Sequence, residues 1–291
     1  MPMLLTRKIF SDLCRVPLSL FAAVSAATGC ALGPHPDAVG AIATTASVAL
    51  LASGASALNQ FQEQDRDARM ARTRNRPLPS GTLTPRHALW ISLTLLAAGL
   101  AVLCTAGELR SAALGLAAIG WYNGIYTFLK KRTALAFLPG AMVGMVPPAM
   151  GWAAAGGSLL DPRLGAISLL FFLWQIPHVW LLLLQYGAEY EQAGLPSLAR
   201  WLKREQIARL AFTWITAIAA ASLSLPLIMG ENAVATYAAL ISAAAWLLVS
   251  GFKLLGIAPG IAAQALFRRI NAYLLLVMGL LCLGRFIPYL R

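Results

Sequence analysis

Asn59, Glu63 and Asp67 recur at i, i+4 and i+8 within Asn59-Gln60-Phe61-Gln62-Glu63-Gln64-Asp65-Arg66-Asp67. On a helix that spacing places the side chains along one face, stepping about 40° each time. One amide and two carboxylates converging there are hard oxygen ligands. They suit Mg2+, which keeps several of its waters and bridges to substrate phosphates. Arg66, Arg69, Arg72, Arg74 and Arg76 follow. Planar guanidinium groups bind phosphate oxygens in bidentate fashion. Carboxylates that hold a metal, beside arginines that hold phosphate, make a diphosphate site able to stabilise a leaving group as a carbon–oxygen bond ionises. Arginines at a membrane boundary also serve as plain anchors, but anchoring does not require an asparagine and three acids alongside.

The elements that must carry these residues are read from composition. The 291 residues are 59% hydrophobic and 12% charged, about half the charged content of a soluble domain. Apolar runs lie near 16–33, 38–60, 87–106, 111–129, 134–156, 164–186, 207–229, 233–252 and 268–290. At about 20 residues per span they predict an all-α integral membrane protein of nine transmembrane helices, a single domain over 1–291. The connections test that count. Only Arg110, Arg163, Arg285 and Arg291 fall on one side; the rest of the 23 Lys and Arg fall on the other. By the positive-inside rule the N-terminus is cytoplasmic, and the long loops at 61–86 and 187–206 share that side, so chemistry is expected there. Those loops follow the second and sixth runs, which hints at a duplicated four-helix unit.

The charge excess is therefore a set of topology signals and headgroup contacts rather than a nucleic-acid surface. Cys14, Cys30, Cys104 and Cys282 are scattered, without a C-x-x-C pair, and read as packing thiols. Arg7 and Lys8 precede an apolar run as they would in a signal peptide, but 16–33 reads as a retained first span. His178 is the one histidine deep in an apolar run, and intramembrane ionisable residues are costly enough to be functional candidates.

Asn59-x-x-x-Glu63-x-x-x-Asp67, running into Met70-Ala71-Arg72-Thr73-Arg74-Asn75-Arg76-Pro77-Leu78, resembles the first acidic motif of the UbiA superfamily of intramembrane prenyltransferases, and within it the branch that farnesylates protoheme. Tyr126-Thr127-Phe128-Leu129-Lys130-Lys131-Arg132-Thr133, Pro147-Pro148 with Gly151-Trp152, and Trp174-Gln175-Ile176-Pro177-His178 are similar to further stretches of that branch. Ala136 stands where an asparagine is usual. Glu189-Tyr190-Glu191-Gln192-Ala193-Gly194-Leu195-Pro196 resembles its second acidic loop, with Glu189 for an aspartate, Gly187 for a basic residue and Ser197-Leu198-Ala199-Arg200 for the usual exit. Arg15-Val16-Pro17 loosely echoes a Lys-Pro-Arg near the first span.

The resemblance implies nine helices around a central cavity open toward the membrane, with the active site facing the cytoplasm from the cell's inner membrane. It implies farnesyl diphosphate and heme B as substrates, Mg2+ as cofactor, contact with membrane lipid, and a downstream heme-modifying enzyme or oxidase assembly as recipient. Asn59, Glu63, Asp67 and Glu189 would hold Mg2+. Arg72, Arg76, Lys130, Lys131 and Arg132 would bind the diphosphate, with Asp67, Glu63, Lys130 and His178 nearest the chemistry. For His178 three readings stay open: an axial contact to heme iron, a role near the reacting vinyl, or a histidine satisfied by a carbonyl that Pro177 frees. The rival functions are another aromatic prenyltransferase of the superfamily and a non-catalytic heme carrier on the same fold.

Overall fold

A computed structural model describes residues 2–192, 194, 196–230, 234–256 and 259–286. Among them the chain is helical throughout, with no strand. In chain order the helices are α1 (Pro2–Cys14), α2 (Val16–Leu32), α3 (Ala38–Asp67), α4 (Pro85–Thr105) and α5 (Leu109–Ile119). A π-helical turn, Gly120–Tyr126, leads into α6 (Thr127–Leu129). Then come α7 (Phe137–Val143), α8 (Val146–Ala154), α9 (Pro162–Gln192), α10 (Arg204–Met229), α11 (Val234–Phe252) and α12 (Pro259–Phe286). Seven helical segments are long and apolar enough to cross a membrane, or eight if Thr6–Cys14 and Val16–Leu32, bent by 54°, form one span. The run expected at 111–129 is built from α5, the π turn and α6, three consecutive short pieces.

The chain divides into two compact units. The first comprises residues 1–133, 146–157 and 189–196; the second comprises 134–145, 158–188 and 197–291. In the first, α3 starts where Asp37 accepts from the Gly40 N–H at 2.7 Å and meets no breaker for 30 residues. At 1.5 Å per residue it is about 45 Å long, which exceeds the roughly 30 Å of a hydrocarbon core. Its acidic last turns are therefore free to stand at the membrane boundary. Helices α3 and α4 are joined by reciprocal bonds, Ser47 Oγ to Gly99 O at 2.7 Å and Ser92 Oγ to Gly54 O at 2.9 Å. Small residues at such a crossing let backbones approach where lipid offers no hydrophobic drive.

The crossing of α2 and α8 is tighter still. A Cβ on Gly29 would fall 2.0 Å from Pro148 O, and one on Gly151 would fall 1.9 Å from Ala26 O. Both obstacles are backbone and cannot move aside. Gly151→Leu is accordingly expected to destabilise the protein by more than about 4 kcal/mol, the range of severe core lesions. The check is recovery of monodisperse protein from membranes, and wild-type recovery and melting would refute the tight crossing.

In the second unit, α9 carries Pro177 mid-helix, and α10, α11 and α12 pack on one another. Ser222 Oγ and Tyr273 Oη share a hydrogen bond at 2.5 Å, tying α10 to α12 through two buried residues.

Two boundaries depart from the sequence reading. Helix α12 begins at Pro259, well before the apolar run expected from 268, so Arg268 and Arg269 lie within the helix rather than in a connection. Hydropathy places a boundary at charges, whereas long arginine stems can lie along a helix and carry their heads outward. Residues 2–14 form a helix of their own ahead of the first expected span. Cys14 and Cys30 are buried, as packing thiols would be, whereas Cys104 is exposed.

Candidate active site

The helix that the acidic face requires does continue. Asn59, Glu63 and Asp67 occupy successive turns at the end of α3 and are all buried, at 0%, 9% and 6% exposure. Asp65, off that face, is exposed. Each of the three meets a cation in the first unit. Lys130 Nζ lies 2.6 Å from Glu63 Oε2, and Arg76 Nη1 lies 2.7 Å from Asp67 Oδ2. Arg15 Nη2 donates to Asn59 Oδ1 at 3.3 Å, while Asn59 Nδ2 donates to Thr127 Oγ1 at 3.0 Å.

The segment after α3 folds back onto the unit through its buried apolar and hydroxyl residues. Met70 is buried, and Leu78 packs with Leu13, Ala57 and Ala88. Thr73, also buried, donates its hydroxyl to the Asp67 carbonyl at 2.8 Å. With both ends pinned, the turn between them aims Arg76 back at Asp67. Arg72 lies on the exposed side, and its backbone N–H donates to Glu189 Oε2 at 3.3 Å.

The π turn supplies the opposite wall. A π turn opens the helical ladder and recurs at functional sites. Here the Tyr122 carbonyl accepts from Thr127 Oγ1 at 2.9 Å, and the Asn123 carbonyl accepts from Gln62 Nε2 at 3.1 Å. Asn123 Nδ2 returns to Ala55 O at 3.0 Å and to Gln62 Oε1 at 3.2 Å. Lys130 follows directly, its ammonium 5.3 Å from the centre of the Tyr126 ring. Lys131 donates to Gln62 O at 3.4 Å, whereas Arg132 points into solvent.

Positive charge is in excess. Among the described residues Arg15 has no carboxylate partner, and its Nε, like Nη1 of Arg66, is buried with nothing to accept its proton. Arg76 is held below the ordinary arginine range by burial first and by the nearby Arg15 second; Asp67 opposes the shift, and Arg72 adds to it. Guanidinium groups crowded to the point of mutual repulsion, with donors unspent, are arranged to receive an anion.

The carboxylates fit a divalent metal of one kind. No three His, Cys, Asp or Glu side chains gather as a metal cluster among the described residues. Glu63 and Asp67 each spend one oxygen on a cation and retain the other. Two carboxylate oxygens and an amide, completed by waters and substrate phosphate, form the donor set that Mg2+ takes. Glu189, expected as a fourth ligand, is half-buried against the Arg72 backbone; Glu191 is exposed. Glu189→Gln is expected to lower turnover about tenfold, the contribution of a hydrogen bond to a charged group, while Glu191→Gln leaves it within about twofold. Steady-state rates of the two variants decide it, and equal small effects would leave Glu189 without a part.

His178 belongs to the second unit. Its Nδ1 lies 2.8 Å from the Trp174 carbonyl and its Nε2 lies 2.8 Å from the Asn271 side-chain amide. The rings of Trp174 and Phe267 stand edge-on to it at 4.5 and 4.7 Å. Pro177 strands the Leu173 carbonyl, but it is the next carbonyl that the histidine takes. With both nitrogens bonded within the unit, His178 is satisfied as it stands.

Sequence reasoning missed Gln62, Thr127 and Asn123 as wall residues and left Arg15 outside the site. A polar Asn123 inside an apolar run and the basic Arg15 before Pro17 were the available signals.

A multi-span helical protein with carboxylates and uncompensated arginines gathered at the end of one long helix has the layout of a membrane enzyme that acts on anionic substrates. The chain belongs to the UbiA prenyltransferase family, whose model matches residues 19–271. It is 40% identical over 212 residues to a protoheme IX farnesyltransferase of Geobacter sulfurreducens, covering 73% of this chain and 78% of that one. Its fold matches a UbiA homolog from Aeropyrum pernix K1 with a TM-score of 0.74 at 20% identity, covering 91% and 97% of the two chains. A UbiA homolog from Archaeoglobus fulgidus bound to GPP and Mg2+ gives 0.68 at 15% identity, covering 94% and 99%. The protein is thus a multi-pass membrane prenyltransferase.

Proposed function

We propose that this enzyme transfers a farnesyl group from farnesyl diphosphate to a vinyl group of heme B, giving heme O. The name of the Geobacter relative supports that donor and acceptor. The observation that carries the diphosphate end is Arg15, half-buried near Arg76, with its Nε buried and no carboxylate paired to it among the described residues. Arg15, Arg72, Arg76 and Lys130 hold the diphosphate oxygens, with Lys131 and Arg132 at the rim. Glu63 and Asp67, with Asn59 beside them and Glu189 across the Arg72 turn, would hold Mg2+. That ion, when bound, neutralises the leaving diphosphate.

The carbon–oxygen bond breaks with its electron pair leaving on the diphosphate. The cationic side chains meet that growing charge already in place, without reorganising. The vinyl group attacks the allylic cation, and water adds to the second cation and loses a proton, leaving the hydroxyl. Until then the apolar helices keep water from the first cation.

The chain sits in the inner membrane with its N-terminus and acidic face toward the cytoplasm, and heme O passes to a downstream heme-modifying enzyme or oxidase assembly. A cysteine label at exposed Ser80 is expected to react from the cytoplasm and one at exposed Pro36 from outside; the reverse would invert the topology. For the activity, purified protein with farnesyl diphosphate, heme B and Mg2+ should yield heme O, identified by mass and lost on chelation. No product under conditions where the Geobacter relative turns over would overturn the assignment.

A further inference from the structure

Arg15 reaches the site only because the chain breaks there. It separates α1 from α2, which are bent by 54°, and its φ of 46° and ψ of 52° are left-handed. It is the sole non-glycine residue with positive φ among those described. Side chains other than glycine resist that conformation, and it persists only where the surroundings over-determine it.

The surroundings are specific. A helix that ends leaves its last carbonyls without partners, and here those of Asp12, Leu13 and Cys14 are taken. Gln60 Nε2 donates to both Asp12 O and Leu13 O, at 2.7 and 2.9 Å. Ser19 Oγ donates to Cys14 O at 2.9 Å, and the N–H groups of Leu18 and Ser19 donate to Arg15 O at 2.9 and 3.1 Å. Gln60 has 0% exposure, and its Oε1 is buried without a partner. The amide thus spends both donor protons on the elbow and leaves its oxygen idle. A leucine at 60 would leave the Asp12 and Leu13 carbonyls without this donor, the second of them buried, and a glutamate would set a negative oxygen against them. Neighbouring residues of α3 therefore divide the work: Gln60 holds the elbow's backbone, and Asn59 receives the side chain that the elbow delivers.

We propose that Gln60 is a positioning residue for the prenyl-diphosphate step, acting through Arg15 by fixing the α1–α2 elbow. The proposal rests on the diphosphate reading above, and the experiment separates the two. Mg2+-dependent binding of inorganic pyrophosphate, and kcat/KM for farnesyl diphosphate, are measured for the wild type, Gln60→Leu, Arg15→Ala and the double variant.

Gln60→Leu should lose about tenfold in both quantities, as misplacement of a binding group does. The double variant should be no worse than Arg15→Ala, because Gln60 has nothing left to position. Ser19→Ala, which removes one bond from the same elbow, should show the same pattern at smaller amplitude, and it carries the test if Gln60→Leu does not insert. A wild type without pyrophosphate affinity would sink the diphosphate reading and this proposal with it. A wild type that binds, with Gln60→Leu and Ser19→Ala binding equally well or with losses that add to that of Arg15→Ala, would overturn the proposal alone.

Discussion

Asp67→Asn is expected to lower farnesyl transfer on the order of 10²–10³-fold, the loss that follows removal of one preorganised stabilising group, while the protein still inserts and keeps its helices. The separation of effects follows from how Asp67 is held. Its backbone is fixed by the Thr73 hydroxyl on its carbonyl and by its place at the end of α3, neither of which depends on the carboxylate. An asparagine oxygen could still accept the Arg76 N–H that the carboxylate takes at 2.7 Å, so the turn from Met70 to Leu78 has no cause to unfold. What disappears is the negative charge, and with it both the proposed metal ligand and the balance of an already crowded group of arginines. The measurements are turnover at saturating Mg2+ and thermal melting in detergent. A variant with normal melting and normal turnover would take Asp67 out of the site; one that fails to fold would give it a structural role instead.

The acidic face was legible because its signal is local. Three polar residues at helical spacing in an otherwise apolar run admit few explanations, and α3 extends to Asp67 as that spacing demands. Arg76 was legible for a related reason, since nine residues of turn bring it back to Asp67. The partners that stayed hidden are those that tertiary packing delivers. Asn59 and Thr127 are 68 residues apart, and Asn271 lies 93 residues beyond His178; no periodicity connects such pairs. Arg15 was obscured by backbone geometry, because a left-handed residue between two helices resembles an ordinary basic flank when read as letters. The start of α12 was hidden by its own arginines, which hydropathy treats as a boundary. The all-helical membrane class was readable because burying backbone in lipid leaves helix as the main solution, whereas the helix crossings depend on single glycines whose role shows only when Pro148 and Ala26 lie against them.

Lys130→Met is expected to damage both stability and catalysis, and pairing it with Glu63→Gln should divide the two. Lys130 meets Glu63 at 2.6 Å, with side-chain exposures of 26% and 10%. Removing one member of a buried ion pair leaves the other desolvated and unpaired, at about 3–5 kcal/mol; the partial exposure of Lys130 places this pair toward the lower end. Lys130→Met should therefore melt earlier than wild type, because Glu63 remains on α3 with no cation opposite. The double variant should regain much of that stability, since neutral side chains at both positions carry no unpaired charge, and the recovery is the coupling that a double-mutant cycle isolates. Catalysis should not follow. On the proposed assignment the leaving diphosphate would lose a cation with Lys130 absent and the metal would lose a carboxylate with Glu63 neutral, so the double variant should be at least as inactive as either single one. Lys130→Arg keeps the charge but changes its shape, and should retain stability with an intermediate rate. If the double variant recovers turnover together with melting temperature, Lys130 and Glu63 serve only to hold α3 beside the π turn, and the diphosphate must be bound by the arginines alone.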